Sequence, residues 1–414
     1  MFINYIKGYL VNYRNSESLG YLISSLVMFY VISNFLPFRT YNLFFIVVLL
    51  LSLPFISNKI NNPIQYERVF ILSLPIFFLI ILISAIYHNV EIHEIDNYSR
   101  FLLCIPIYFL FRSVGVSSST LAYGIITASI FGGVVSIHEY YNLNIERSGI
   151  ISSVVITYGN LCMSMFIFLI VCLRFCDHLK INRKLIYLAL IMSLTGWLFT
   201  FTRGSLIGAA LCIPFLLSNK FSENRKAKII IILLLSLTIL ISPMSQRITS
   251  ILNDVPNISY NQIEMDTINT SLKERIIYAN VALDAIENYP LIGIGLDGFD
   301  DYTKKIYPNF NFNLTDHAHN DFLDIFAKVG IFGFISLLYL LLISMYFFYV
   351  HYQNNNANIK YYSAIGILTC TSQIGFMLTQ SQFAHHQATL FFIIILVLAA
   401  GQVSHLVRSK SYYQ

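Results

Sequence analysis

Long apolar runs fill most of this chain, and short polar clusters separate them. Runs at 19–37, 41–57, 69–87, 101–114, 119–138, 149–173, 184–201, 204–218, 228–243, 330–350, 360–379 and 388–407 each read as a candidate membrane span. A spanning helix needs about 20 predominantly apolar residues, so the fourth and eighth runs are short for the task. The pattern predicts an all-α polytopic membrane protein of about 12 transmembrane helices. The pattern breaks once, between 244 and 329. The predicted order is therefore 1–243 with the first nine spans, a long loop over 244–329, and 330–414 with the last three, all in one integrated domain.

The long loop carries its own pattern. Leu272 to Asn288 has helical periodicity in Ile276, Ile277, Ala279, Val281, Leu283 and Ile286, and Tyr289-Pro290 ends it. Ile292 to Phe299 is a glycine-rich turn, and Tyr302 to Asn313 is aromatic and irregular. The stretch Thr315 to Gly330, TDHAHNDFLDIFAKVG, then enters the next helix, with Thr315 or Asp316 predicted as N-cap and His319 in the first turn. Phe322, Leu323, Ile325 and Phe326 suit one helical face; Asn320, Asp324 and Lys328 line another, with Asp324 one turn ahead of Lys328. An ordered loop of this length is more than a connector requires.

Composition sharpens the picture. Of 414 residues, 56% are hydrophobic and 11% charged, whereas soluble domains are about 25% charged. Six cysteines lie in or beside apolar runs without zinc or disulfide spacing and read as small apolar residues. The N-terminal pattern does not suggest a cleavable signal. With the N-terminus placed in the cytoplasm, 16 of the 26 basic residues fall inside, among them Arg68, Arg112, Arg174, Lys180, Arg183, Lys360 and Arg408. The short outer loops are acidic, with Glu91, Glu94, Asp96, Glu139 and Glu146. The bias puts both termini in the cytoplasm and the long loop outside it.

Against so little charge, the polar residues outside the cytoplasm stand out. Asp316 to Asp324 holds two histidines, three aspartates and an asparagine. A neutral histidine beside a helix N-terminus suits a general base acting next to an anion. Arg203, in the tight turn between 184–201 and 204–218, is either an arginine snorkelling to the headgroups or a clamp for phosphate oxygens. Arg275 taken alone reads as a solvated surface charge. Gly293, Gly295 and Gly298 follow a helix and a proline rather than a strand, so they indicate a turn and close backbone approach, not a dinucleotide site. His317 and His319 could ligate a metal, but no third ligand stands at a familiar spacing. His385 and His386, near Gln380, Gln382 and Gln387, read as interfacial polar residues or as part of the same outer face.

Three of these segments together resemble the O-antigen ligase and polymerase superfamily. They are Thr202-Arg203-Gly204-Ser205-Leu206, then Leu272-Lys273-Glu274-Arg275 with Ala282-Leu283 and Tyr289 to Gly295, and finally His317-Ala318-His319-Asn320-Asp321-Phe322-Leu323 with Gly330 and Gly333. The motifs cover about 202–333, and the layout of spans agrees along the whole chain. The resemblance implies a GT-C-like, metal-independent, inverting glycosyltransferase without cofactor, in the bacterial inner membrane with its active site facing the periplasm. Its donor would be a glycan on undecaprenyl diphosphate. Its acceptor would be lipid A-core in a ligase, or a second lipid-linked repeat unit in a polymerase; the ligase is favoured. Arg203 and Arg275 would bind the diphosphate and stabilise the leaving group, His319 would be base or positioner, and His317 and Asn320 would contact substrate. Membrane lipids, and no nucleic acid, complete the expected partners.

A competing class is a transporter or lipid flippase. Such a protein would place charged residues or broken helices at the middle of the bilayer. The spans here carry almost no charge at that depth.

Overall fold

A computed structural model describes residues 17–56, 63–218, 221, 270–308 and 316–411. The predicted span 228–243, the loop residues up to 269, the aromatic run beyond Pro308 and the predicted cap Thr315 lie outside the described residues. Among the described residues there is no strand. The helices are α1 Glu17–Ser33, α2 Tyr41–Ser52, α3 Glu67–His88, α4 Ile92–Ser113, α5 Ser118–Tyr141 and α6 Val155–Arg174. They continue with α7 Arg183–Thr200, α8 Gly204–Leu217, α9 Thr270–Asn288, α10 Phe299–Ile306, α11 Asp321–Tyr352, α12 Ala357–Met377 and α13 His386–Ser411. Every predicted span that falls on described residues is thus helical over most of its length. Five helices, α3, α5, α6, α11 and α13, are long and apolar enough to cross a membrane. Helices α1, α2 and α8 are apolar but shorter, which leaves the predicted count of about 12 spans unestablished.

Burial separates the helices into a centre and a rim. Helices α6 and α13 are apolar all round and almost wholly enclosed. Helix α3 instead turns Leu72, Leu79, Ile83 and Ile86 outward, and α11 does the same with Phe332, Ile335 and Leu342. An outward apolar stripe of this kind is costly in water and natural against lipid tails. All six cysteines are buried and free, in keeping with their reading as small apolar residues.

Small residues set one helix crossing that matters for the site. Gly204 and Gly208 share a face of α8 at the four-residue spacing that lets helix backbones approach. A Cβ on Gly208 would overlap Phe376 and Ser372 of α12, and one on Gly375 would overlap Gly208 itself. One turn up, a Cβ on Gly204 would collide with Thr379. The residue after Arg203 therefore touches the residue before Gln380.

Helix α11 is broken at Gly330, which has φ +79° and ψ −168°. The predicted span 330–350 begins at this break. The backbone groups freed by it are not left bare. Ile294 N–H donates to Ala327 O at 2.9 Å, Gly295 N–H to Lys328 O at 3.0 Å, and Ile331 N–H to Pro290 O at 2.8 Å. The glycine-rich turn is thus a plug seated in the helix break. Gly293, at φ +70°, and Gly330 lie so close to opposing backbone that neither has room for a Cβ. The turn-and-approach reading holds at Gly293.

Loops that the charge pattern assigns to one side meet one another. His88 reaches Ile292 O, Asn97 reaches Ala384 O, and Arg147 reaches Thr200 O. At the other end Glu67 pairs with Arg112 and Tyr108, and Asn358 accepts from Ser118 and contacts His178. The polar cluster lies at the first end.

Candidate active site

The helix carrying the histidine motif starts later than its sequence suggests. Asn320, not Thr315 or Asp316, is the N-cap: its Oδ1 accepts from Phe322 N at 2.9 Å and Leu323 N at 3.2 Å. An asparagine cap contributes about 1 kcal/mol. Its Nδ2 also donates to Leu378 O at 3.3 Å, joining α11 to the end of α12. The Asn320 amide, expected to contact substrate, is thus engaged in capping. His319 precedes the first turn rather than lying in it, in the left-handed region at φ +52°. An L-residue bears about 1–2 kcal/mol there, so the neighbouring bonds must hold it.

Two buried carboxylates supply those bonds. Asp324 Oδ1 accepts the Ala318 N–H at 2.9 Å, between the two histidines. Its other oxygen lies 3.4 Å from Lys328 Nζ, the predicted pair one turn apart, with both side chains almost fully buried. Lys328 also sits over the Phe299 ring at 5.8 Å. Asp321 accepts from Gln382 N at 2.7 Å and Phe383 N at 3.2 Å, which ties the motif to the loop between α12 and α13.

That loop brings in groups the sequence left undecided. Gln380, 2% exposed, places Oε1 2.7 Å from His319 Nδ1 and Nε2 2.8 Å from His385 Nε2. The His317 ring lies edge-on to His319 at 4.7 Å and to His385 at 5.9 Å between centroids. Tyr278 of α9, fully buried, backs His319 at 5.8 Å. His385 therefore belongs to the site and is not merely interfacial. Its neighbour His386 turns away, its Nδ1 2.7 Å from Arg100 Nη2 and 3.4 Å from Asp96. Only spatial adjacency could have separated these two histidines. Tyr278 carried no polar signal at all, being one more large residue on a periodic helix.

The electrostatics favour a neutral imidazole beside fixed positive charge. Burial lowers the pKa of His319 to about 4, with further lowering from His317 and Arg275. Burial likewise brings His385 to about 4, with His317 adding to it. The hydrogen bond from His317 Nδ1, at 2.7 Å, holds the Asp316 carboxyl well below the usual range. Burial lowers Arg275, and the charge of Arg203 lowers it further; an arginine stays protonated regardless. The reading of Arg275 as a plain surface charge is thus corrected. The two guanidinium groups feel one another, and Arg275 acts on His319, although 72 residues of sequence separate the two arginines.

Arg203 rises from a firmly built turn. Phe201 closes α7 at φ +51°, and Arg203 stands at the N-terminus of α8. Beneath it Thr200, Thr202 and Ser205 join through hydroxyl contacts of 2.8 and 3.1 Å, and Ser205 donates to Asn160 Oδ1 at 2.8 Å. Trp197 Nε1 donates to Thr202 O at 3.0 Å. The backbone that carries Arg203 is thereby fixed in place.

Among the described residues, no group of three or more His, Cys, Asp or Glu side chains is arranged to hold a metal ion.

Fold and site together define an all-helical, multi-pass membrane protein with a cationic, histidine-bearing site at one end of the helix bundle. Residues 188–338 match the family model described as O-antigen ligase, and the chain's resemblance to the O-antigen ligase and polymerase superfamily stands on that match. The matched segment contains Arg203, Arg275, His317 and His319; Gln380 and His385 lie beyond it. A Haemophilus influenzae protein named only as an uncharacterized protein is 27% identical over 335 residues, 79% of this chain and 84% of its own length.

Proposed function

We propose that this protein transfers a glycan from undecaprenyl diphosphate to lipid A-core, as an O-antigen ligase of the bacterial inner membrane working at the periplasmic face. The observation that carries the reading is a buried His319, held by Gln380 and packed against His317 and Tyr278, with Arg275 close enough for its charge to act on the imidazole and for that of Arg203 to act on Arg275. A glycosyl diphosphate is already activated, so catalysis needs alignment, charge stabilisation on the leaving group and a proton acceptor. Two guanidinium forks can grip the diphosphate oxygens, and in a partly buried site their charge is weakly screened. His319 would take the proton from the acceptor hydroxyl as its oxygen bonds the anomeric carbon. The bond from that carbon to the phosphate oxygen breaks, and undecaprenyl diphosphate leaves with the electron pair. A single displacement of this kind inverts the anomeric centre.

A base with a pKa near 4 is weak, and the donor itself corrects this. A bound diphosphate neutralises the arginine charge acting on His319 and adds negative charge beside it, so the imidazole becomes more basic once the donor is seated.

The test uses purified protein in liposomes with a lipid-diphosphate-linked glycan and two acceptors offered separately. Transfer to lipid A-core as one block supports the ligase. Laddered growth on the lipid carrier, without a lipid A product, replaces it with a repeat-unit polymerase using the same site. Transfer is expected to persist in EDTA, since the arginines supply the positive charge.

A further inference from the structure

We propose that Gln380 and His385 are positioning residues that set the tautomer of His319, so that its Nε2 lone pair, and not Nδ1, faces the reacting hydroxyl. The inference rests on the transfer reading above and extends it to residues outside the family match.

The argument is one of donors and acceptors. An amide oxygen only accepts, so Gln380 Oε1 at 2.7 Å requires the proton of neutral His319 to sit on Nδ1. An amide nitrogen only donates, so Gln380 Nε2 at 2.8 Å requires a lone pair on His385 Nε2, which puts the His385 proton on Nδ1. One amide thereby orders both rings. With Nδ1–H engaged, the only lone pair on His319 is at Nε2. The relay is neutral throughout, and burial of both rings favours that state.

The amide is held from both sides. Gln380 N–H donates to Phe376 O at 3.0 Å in the turn that ends α12. Thr379 before it is wedged against Gly204, and the backbone after it is clamped by Asp321 through Gln382 and Phe383. The same turn thus spaces Gln380 from Arg203 and from the start of α11. A glutamine in this position is fixed by three elements, which is more than a solvated loop side chain needs.

Each group facing His319 bears on its titration. From its own segment these are His317 and Asp324, from α9 Arg275 and Tyr278, and from the 380–385 loop Gln380 and His385. Among the described residues, only Gln380 hydrogen-bonds Nδ1. Exchanging its amide for a carboxylate places a negative charge on the imidazole edge and stabilises imidazolium.

The experiment compares full-length wild type, Q380L, Q380E and H319A in liposomes, measuring kcat, donor KM and the pH profile of kcat/KM. Q380L is expected to lower kcat about 100-fold, with donor KM changed by no more than about threefold, the scale of a general base left unoriented. Q380E restores an acceptor for Nδ1–H and should recover most of that loss. Its acid limb should also move to higher pH by about one unit or more. A Gln380 that served only the helix turn, away from the imidazole, would leave that limb in place and would not let the carboxylate rescue kcat. Wild-type kcat in Q380L, or an unshifted limb in Q380E, overturns the proposal; should Q380L not insert, the limb in Q380E decides alone. Full transfer by H319A instead sinks the general-base reading itself, whereas an inactive H319A beside a normal Q380L sinks only the positioning role.

Discussion

The backbone N–H of Ala318 donates to the buried carboxylate of Asp324, 2.9 Å away, and this bond sets the spacing of the histidines on either side. Asp324→Ala would release the loop and strand Lys328 as a buried charge. Loss of one partner from a buried pair costs about 3–5 kcal/mol. A lower unfolding temperature and a collapse of transfer are expected. Asp324→Asn keeps an acceptor for Ala318 and should retain more activity than the alanine variant. Equal behaviour of the two would show that the hydrogen bond is unimportant.

Arg203 should tolerate lysine poorly. A bidentate guanidinium cannot be replaced by a point charge. Arg203→Lys is therefore expected to lose about 10-fold or more in kcat/KM for donor, roughly the 1.4 kcal/mol of one lost charge-assisted hydrogen bond. Wild-type kinetics in the lysine variant would favour a simple electrostatic role.

Activity should depend on pH through His319. The group is neutral above about 4 in the free protein. Activity in kcat/KM is therefore present at neutral pH and falls as pH drops through about 4. In kcat, which reports the donor complex, the acid limb should lie at higher pH, because the bound diphosphate favours imidazolium. Coincident limbs would argue that the donor does not sit beside the imidazole.

Stability should follow the same histidines. His319 and His385 have folded pKa values of about 4, below the ordinary 6.5. Between those values the unfolded chain binds more protons than the folded one, so stability rises with pH through this window and is lost as pH falls from 6.5 towards 4. Thermal unfolding in detergent across that range would show it. His319→Gln with His385→Gln should flatten the dependence.

The plug in α11 predicts a sharp glycine requirement. Gly330→Ala would pair a left-handed backbone with a side chain that has no room beside Leu291 O. Backbone strain alone is about 1–3 kcal/mol, and the clash adds to it. Poor insertion or a lower unfolding temperature is expected, while Phe332→Ala, on the exposed face two residues on, should be mild by comparison.

Much of the architecture was legible in the sequence. Apolar runs marked the helices because lipid and core both demand apolar side chains, and a helix satisfies its own backbone within each span. The turn at Arg203, the helix that ends at Asn288 and the Asp324–Lys328 pair followed from local rules of proline, periodicity and helical spacing. The membership of His317 and His319 in the site followed from the cost of polar groups in so apolar a chain, together with the resemblance they carry.

Other features depended on contacts that no local pattern encodes. The helix start moved to Asn320 because its amide caps Phe322 and Leu323 and also reaches Leu378, and sequence order alone ranks the candidate caps poorly. Arg275 looked like a surface charge until folding set it against Arg203 and His319. His385 and His386 are adjacent and chemically identical, yet one faces Gln380 and the other Arg100. Sequence composition determined that this chain is helical, membrane-borne and polar at a few points. Which of those points share one site was decided only by tertiary packing, since the Gly204–Thr379 contact and the Asp321 clamp act between residues far apart in the chain.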